Sequence, residues 1–439
     1  MGLVDGLSRH PSGKVSKVYR NPAELQAAYD FLEHDSVKAK AVQQVASAET
    51  AMLCSSEATV YLVLDGSSFK LTDKAKKKGF GSIGPRSKKA RGLKVVNGLA
   101  VDPLGKTIGI LTQRFWARGR KSRKGYHPLS KRESFRWHEA VDRAQAAMEE
   151  YAPTTKLHVL ADREGDASLL MRHILRKGCD FTIRANGTRM VKVGNRRVGV
   201  RALMRKQKVL ATHTVEVPKR DDQPARTARL TIRAAAVTLV LRDHHIGEPF
   251  ERQVTVIWAH EPRPPYGAKP LDWMLYTTVP VKSAKSVVQA VIRYTFRWRI
   301  EDFHRQVKSG GGHVEDSQLR SVDALIKWAT FQAMIAARAQ RLRDASRKTP
   351  DLPATTELSE TEVEALVLLK TLEKRRNETI SAEGLTLARA VRWIGDLGGF
   401  AVTGASKKMP GTTIIGRGLE RVLETAQLVH GLRAIGKMR

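Results

Sequence analysis

The order of strand-like and helix-like segments between residues 58 and 184 constrains this chain more than any other feature. Residues 58–64, Ala-Thr-Val-Tyr-Leu-Val-Leu, form a β-branched and aliphatic run of strand length that ends on Asp65 and turns at Gly66-Ser67-Ser68. Residues 93–101 and 107–116 read as two more strands, joined by the hairpin signal Asp102-Pro103-Leu104-Gly105. Residues 137–151 have helical periodicity, residues 156–161 are an apolar strand ending on Asp162, residues 167–177 are helical and residues 180–184 strand-like. The simplest order is βββαβαβ, an α/β core that delivers carboxylates to the ends of two buried strands.

The flanks differ in character. Residues 1–57 read as short helices, one opened by Asn21-Pro22-Ala23-Glu24 with Leu25, Ala28, Tyr29 and Leu32 at helical spacing. From 185 to 281 the pattern is β-rich, with segments at 191–200, 213–217, 228–241 and 252–258 and proline-rich turns such as Glu261-Pro262-Arg263-Pro264-Pro265. One helix is expected over 283–309, ended by Gly310-Gly311-Gly312. After Arg320 the chain is helical, with a capping box at Ser359-x-x-Glu362. The expected organisation is therefore a helical region at 1–57, an α/β domain at 58–320 and a helical domain at 321–439.

Lys and Arg number 77 against 44 Asp and Glu, a net charge of +33, and 41% of residues are hydrophobic. That pairing excludes a disordered polybasic tail and points to a folded body that binds a polyanion. Ten of the cations lie between Lys70 and Lys94, in a glycine-interrupted stretch expected to be a flexible loop facing DNA, outside any core. Within it Gly79-Phe80-Gly81-Ser82-Ile83-Gly84 has the letters of a dinucleotide fingerprint. It follows lysines instead of a strand and precedes Pro85 instead of a helix, so that reading is rejected. Cys54 and Cys179 form no disulfide framework or zinc spacing, which fits a reducing cytoplasm. The longest apolar stretch, 234–241, is bracketed by Arg233 and Arg242 and falls short of the roughly 18 residues of a membrane span. Residues 1–13 have no apolar core for secretion. Asp243-His244-His245 reads as a polar surface turn.

The chemistry concentrates in Tyr294-x2-Arg297-x3-Glu301-x6-Lys308. On one continuous helix these four side chains would share a sector of about 60°. Two strand-terminal aspartates and a helical glutamate suit a two-metal phosphoryl-transfer site, because hard cations such as Mg²⁺ prefer carboxylate oxygens. Asp65 in Leu64-Asp65-Gly66-Ser67-Ser68, Asp162 in Ala161-Asp162-Arg163-Glu164-Gly165-Asp166, and the four-residue signature together resemble the bacterial DDE transposases with the YREK signature, the insertion sequence four family. The resemblance extends from about Tyr29 to the C-terminus, including Leu397-Gly398-Gly399-Phe400 in the helical tail.

The resemblance implies a ribonuclease H-like catalytic core with a β-rich insertion at about 185–281 and a helical C-terminal domain, while the short helical N-terminal region departs from the longer end-recognition domain usual in that family. It implies that Asp65, Asp162 and Glu301 are catalytic and bind two Mg²⁺ ions, with Mn²⁺ as a substitute. It assigns Tyr294, Arg297 and Lys308 to terminal phosphates, Trp273 to stacking on a flipped base, and Arg184 and Trp298 to DNA near the end. Glu133 and Trp137 match a family segment without a role. The implied activity is cut-and-paste transposition in the bacterial cytoplasm at the nucleoid. Its partners are double-stranded DNA, as terminal inverted repeats and target, and a second copy of the chain. Only 64 residues precede Asp65. The expectation is thus a shortened end-recognition region, and the rival activities are inhibition of a longer transposase, or metal-dependent DNA cutting without strand transfer.

Overall fold

The computed structural model describes residues 14–19, 21–73, 78–84, 90–119, 130, 132–218, 224–242, 249–308, 311–373, 378–400 and 409–434. Helices α1 (Val15–Val18), α2 (Pro22–Glu33) and α3 (Ala39–Cys54) come first, α2 being capped by the Asn21 side chain. Then follow β1 (Thr59–Lys70), β2 (Gly81–Ser82), β3 (Arg91–Val101), β4 (Thr107–Trp116), α4 (Phe135–Tyr151), β5 (Lys156–Ala161), α5 (Ser168–Arg176) and β6 (Asp180–Arg184). Apart from the two-residue β2, this is the expected βββαβαβ order. The chain continues through β7 (Met190–Val193), β8 (Arg196–Gly199), α6 (Val200–Arg205), β9 (Ala211–Val217), β10 (Arg226–Leu241), β11 (Phe250–His260) and β12 (Asp272–Thr277). The remaining helices are α7 (Ala284–Thr295), α8 (Trp298–Lys308), α9 (Val322–Lys348), α10 (Glu360–Leu372), α11 (Leu387–Leu397) and α12 (Thr412–Ala434).

All the described strands join one mixed sheet. Its first part runs β4-β3-β1-β5-β6, with β1, β5 and β6 parallel, and β12 adds antiparallel to β6 to carry the sheet into β11 and β10. Parallel strands must be covered on both faces. Leu62, Leu64 and Val159 meet Trp137, Val141 and Met171 of α4 and α5 on one face. Tyr61, Val63 and Leu160 meet Ile300, Phe303 and Trp328 of α8 and α9 on the other. The far end of α9 packs with α10, α11 and α12 around Leu366, Ile394 and Leu419.

Three expectations are corrected. Residues 191–200 are a hairpin followed by a helix, because Gly194, with φ +56°, opens a two-residue turn between β7 and β8. The segment 70–94 contributes to a core: Leu71, Phe80 and Ile83 are buried, β2 pairs with β3, and Arg91 holds the buried Asp73 at 3.1 Å. Lys74, Lys76, Lys77, Arg86, Lys88 and Lys89 of that segment, and the Asp243-His244-His245 turn, lie outside the described residues. Finally, the single helix over 283–309 is two helices that break at Phe296-Arg297. Phe296 turns into the core against Tyr61, with ring centroids 5.5 Å apart, and against Gly105 of the β3–β4 hairpin. Tyr294, two residues earlier, buries on a different cluster with Trp273 and Val291. At the break the backbone tightens, the N–H groups of Phe296, Arg297, Arg299 and Ile300 donating to carbonyls three residues back.

Candidate active site at the strand ends

Leu64 of β1 pairs with Ala161 of β5 in parallel register, so Asp65 and Asp162 follow the last β1–β5 pair side by side. β5 ends there, whereas β1, expected to end at 64 and turn at Gly66-Ser67-Ser68, continues through Asp65 to Lys70 because β3 still pairs with it. Alternation along each strand turns both toward the face that α8 covers. The Gly66 N–H donates to Asp65 Oδ1 at 3.0 Å, and the Glu164 N–H donates to Asp162 Oδ1 at 2.8 Å. Burial pushes the Asp65 carboxyl up to about 7, with Asp162 and Glu301 adding to the rise and Arg297 opposing it. Several carboxylates crowded in a poorly solvated corner favour either a proton or a cation there.

The break between α7 and α8 sets the other wall. Arg297 lies in the break, is 9% exposed, and donates through Nη2 to Glu301 Oε1 one turn into α8. Burial opposes its charge, but Tyr294, Glu301 and Asp65 outweigh that and keep the guanidinium protonated. Lys308, at the end of α8, has its pKa lowered by burial while Glu315 and Asp65 pull the other way. Asp65, Asp162, Tyr294, Arg297, Glu301 and Lys308 therefore share one electrostatic neighbourhood across the break, with the Tyr294 hydroxyl in the field of Arg297, Arg184 and Asp162. The Tyr294 hydroxyl is buried and raised to about 12.

Trp273 is 4% exposed, with its ring 5.4 Å from Tyr294 and 5.5 Å from Trp298 in edge-on contacts. β12 alternation turns Trp273 into the cluster under α7. Trp298 is the half-buried ring of the three. Arg184, at the end of β6, donates to the Asp272 carbonyl at 2.9 Å, and burial lowers its pKa. Arg299 and Asp302 serve the fold, through Asp344 and Arg343 of α9.

Sequence reasoning passed over a buried relay behind Asp65. Asn97 of β3, directly opposite Asp65 in register, accepts from Gln113 Nε2 at 2.9 Å, leaving its amide to donate to His304 Nε2 at 3.0 Å. Burial, with Lys308 and Arg297 nearby, brings the His304 pKa down to about 3, so the ring is neutral. A neutral imidazole that accepts at Nε2 carries its proton on Nδ1, and that nitrogen lies 3.8 Å from Asp65 Oδ2. The readable signal is a polar Asn in the otherwise apolar run Val95-Val96-Asn97-Gly98-Leu99.

As arranged, no group of three or more His, Cys, Asp or Glu among the described residues is set to hold a metal ion. Glu301 accounts for this, since its carboxylate is turned onto Arg297. The donor chemistry nevertheless fits a hard divalent cation, because Asp65 and Asp162 offer adjacent carboxylates and the crowding that raises the Asp65 pKa is relieved by a bound cation.

The mixed sheet, its parallel centre and the aspartates on β1 and just after β5 are consistent with a ribonuclease H-like transposase domain. The family model for the transposase DDE domain matches residues 59–337, well over half of the chain, and the chain belongs to that family. Membership supports a transposase function and implies a DNA substrate. Among the described residues no helix is long and apolar enough to cross a membrane.

Proposed function

We propose that this chain is a DNA transposase of the YREK-signature type that moves an insertion sequence by cut and paste. The observation that carries the reading is that Asp65 and Asp162 directly follow the last paired residues of two adjacent parallel strands, in the field of Glu301 and with the Asp65 pKa raised. Asp65, Asp162 and Glu301 supply the oxygens for two Mg²⁺ ions, which when bound activate an attacking oxygen and stabilise a leaving 3′ oxygen. Arg297 holds Glu301 in reserve and, with Lys308 and Arg184, offers cations to the phosphates of the transposon end. Trp298 is the ring available to a base at the rim, and Trp273 and Tyr294 support it from beneath. His304 keeps an Nδ1–H on the Asp65 side and limits that carboxylate's freedom.

One such site serves four successive phosphoryl transfers: 3′-end nicking, hairpin formation, hairpin opening and joining to target DNA. The strands from β7 to β12 act as the insertion of the catalytic domain. The helical C-terminal region pairs two copies; Leu372 and Leu428, on α10 and α12, are 75% and 63% exposed and offer apolar surface for it. The setting is the bacterial nucleoid.

The test is to incubate the purified chain with Mg²⁺ and duplex DNA carrying its element's inverted repeats. The expected products are a nick, then a hairpin, then a joined product with a target plasmid. Binding without cutting, together with suppression of a longer homologue, replaces this reading with the inhibitor. Cutting that never yields a joined product replaces it with the nuclease.

A further inference from the structure

A cavity of about 800 Å³ opens beside the carboxylates on the sheet face opposite Glu301. It begins at Gly66, Ser67 and Ser68, the residues after Asp65, and at Glu164, two residues after Asp162. β5 stops at Ala161 while β1 runs on to Lys70, which leaves this edge of β1 without a β5 partner. Gly66 keeps the passage clear, since a Cβ there would come 3.3 Å from Glu164 Oε2 and 3.7 Å from the Trp137 ring.

The wall away from β5 is built by register. Ser68 pairs with Lys94 of β3, and Lys94 pairs with Trp116 of β4, so all three side chains share one face. Lys94 Nζ sits 5.5 Å over the half-buried Trp116 ring, and Trp137 of α4 lies deeper. Glu133 positions this wall: it takes Lys94 at 3.0 Å and Arg118 Nη2 at 2.7 Å, and Arg118 and Lys94 hold its pKa down to about 2. Asp166 is neutralised by Arg189 at 2.6 Å, and Arg132 and the exposed Arg242 make the mouth basic. An indole with an ammonium over it, inside a basic rim, matches a base face joined to a phosphate, and the volume suits a nucleotide-sized ligand.

Direction along the sheet end decides which nucleotide. From Asp65 and Asp162 toward β6 and β12 lie Arg184 and Trp298, read above as contacts to the transposon end. Toward β3 and β4 lie Lys94 and Trp116. We propose that this cavity receives the nucleotide on the far side of the scissile phosphate from the transposon end, flanking DNA during cleavage and target DNA during joining. The inference rests on the transposase reading and gives Glu133 and Trp137 a place: Glu133 sets Lys94 and Arg118, and Trp137 closes the back of the cavity.

The test compares two duplexes without divalent metal, one with the transposon end plus flank and one cut at the end, each probed with the full chain. A 2-aminopurine replaces the first flanking base. In the wild type its fluorescence is quenched on binding. Trp116→Ala removes that quenching and weakens the flank-bearing duplex by about tenfold, the scale of one base stack, while the pre-cut end changes by less than about twofold. Trp116→Phe restores most of the quenching. Arg242→Ala, at an exposed position that folding does not need, weakens the flank-bearing duplex selectively, and with Mg²⁺ it slows joining to target more than nicking. Equal losses on both duplexes, or no loss on either, overturn the proposal. A wild-type chain that binds neither duplex defeats the transposase reading instead.

Discussion

The raised Asp65 carboxyl gives a stability signature that does not depend on DNA. Its pKa moves from 3.8 to about 7 on folding. The folded state then holds a proton that the unfolded chain releases across that window, so the metal-free protein loses stability as pH rises from about 4 to about 7 and is level above it. At 1.36 kcal/mol per unit, the cost at pH 8 is on the order of 4 kcal/mol. Asp65→Asn keeps an oxygen for the Gly66 N–H and removes the charge. It is expected to match the wild type at pH 4, to exceed it by a few kcal/mol at pH 8, and to flatten the profile between. The assay is denaturant unfolding across pH in chelator, repeated with Mg²⁺, where the wild type alone should gain stability from the ion. An Asn variant less stable at every pH, or a stability difference between Asn and wild type that does not widen in favour of Asn between pH 4 and 7, refutes the claim that this carboxylate is strained by burial and by its neighbours.

Other substitutions separate positioning from support. His304→Ala removes the Nδ1–H beside Asp65 and should slow DNA cleavage about 10–100-fold, the usual cost of losing an outer partner of a metal ligand, with DNA affinity unchanged in a gel-shift assay; an unchanged rate sinks the relay. Trp273→Ala empties a buried site and should cost about 3–5 kcal/mol in unfolding measurements. Trp298→Ala, half-buried at the rim, should cost far less stability but weaken binding of the transposon end. If Trp273 proves tolerant and Trp298 essential to folding, the aromatic cluster has been assigned the wrong way round.

What could be read in advance follows from how local each signal is. Apolar strand runs that lead into Asp65 and Asp162 needed only period and residue type, whereas the continuation of β1 to Lys70 through Gly66-Ser67-Ser68 was hidden because it depends on pairing with β3. The helix break did not announce itself, because the stretch from Tyr294 to Lys308 contains no Pro or Gly and keeps helical spacing. It shows only in the folded backbone, where the N–H groups of Phe296, Arg297, Arg299 and Ile300 donate to carbonyls three residues back. The relay was equally hidden, since Asn97 and His304 lie 207 residues apart. Segment 70–94 misled for the opposite reason, its many lysines masking Leu71, Phe80 and Ile83, which anchor it. Burial at Trp273 depended on which face of β12 met α7, and that depends on the sheet as a whole.

The central claim is that Asp65, Asp162 and Glu301 act together as one centre for cutting DNA. The most direct measurement is cleavage of end-bearing DNA in Mg²⁺ by Asp65→Asn, Asp162→Asn and Glu301→Gln, each beside a binding assay on the same DNA. Each variant should bind as the wild type does and cut at least about a thousandfold more slowly, the equivalent of roughly 4 kcal/mol in barrier. Any one of the three cutting at the wild-type rate contradicts the account.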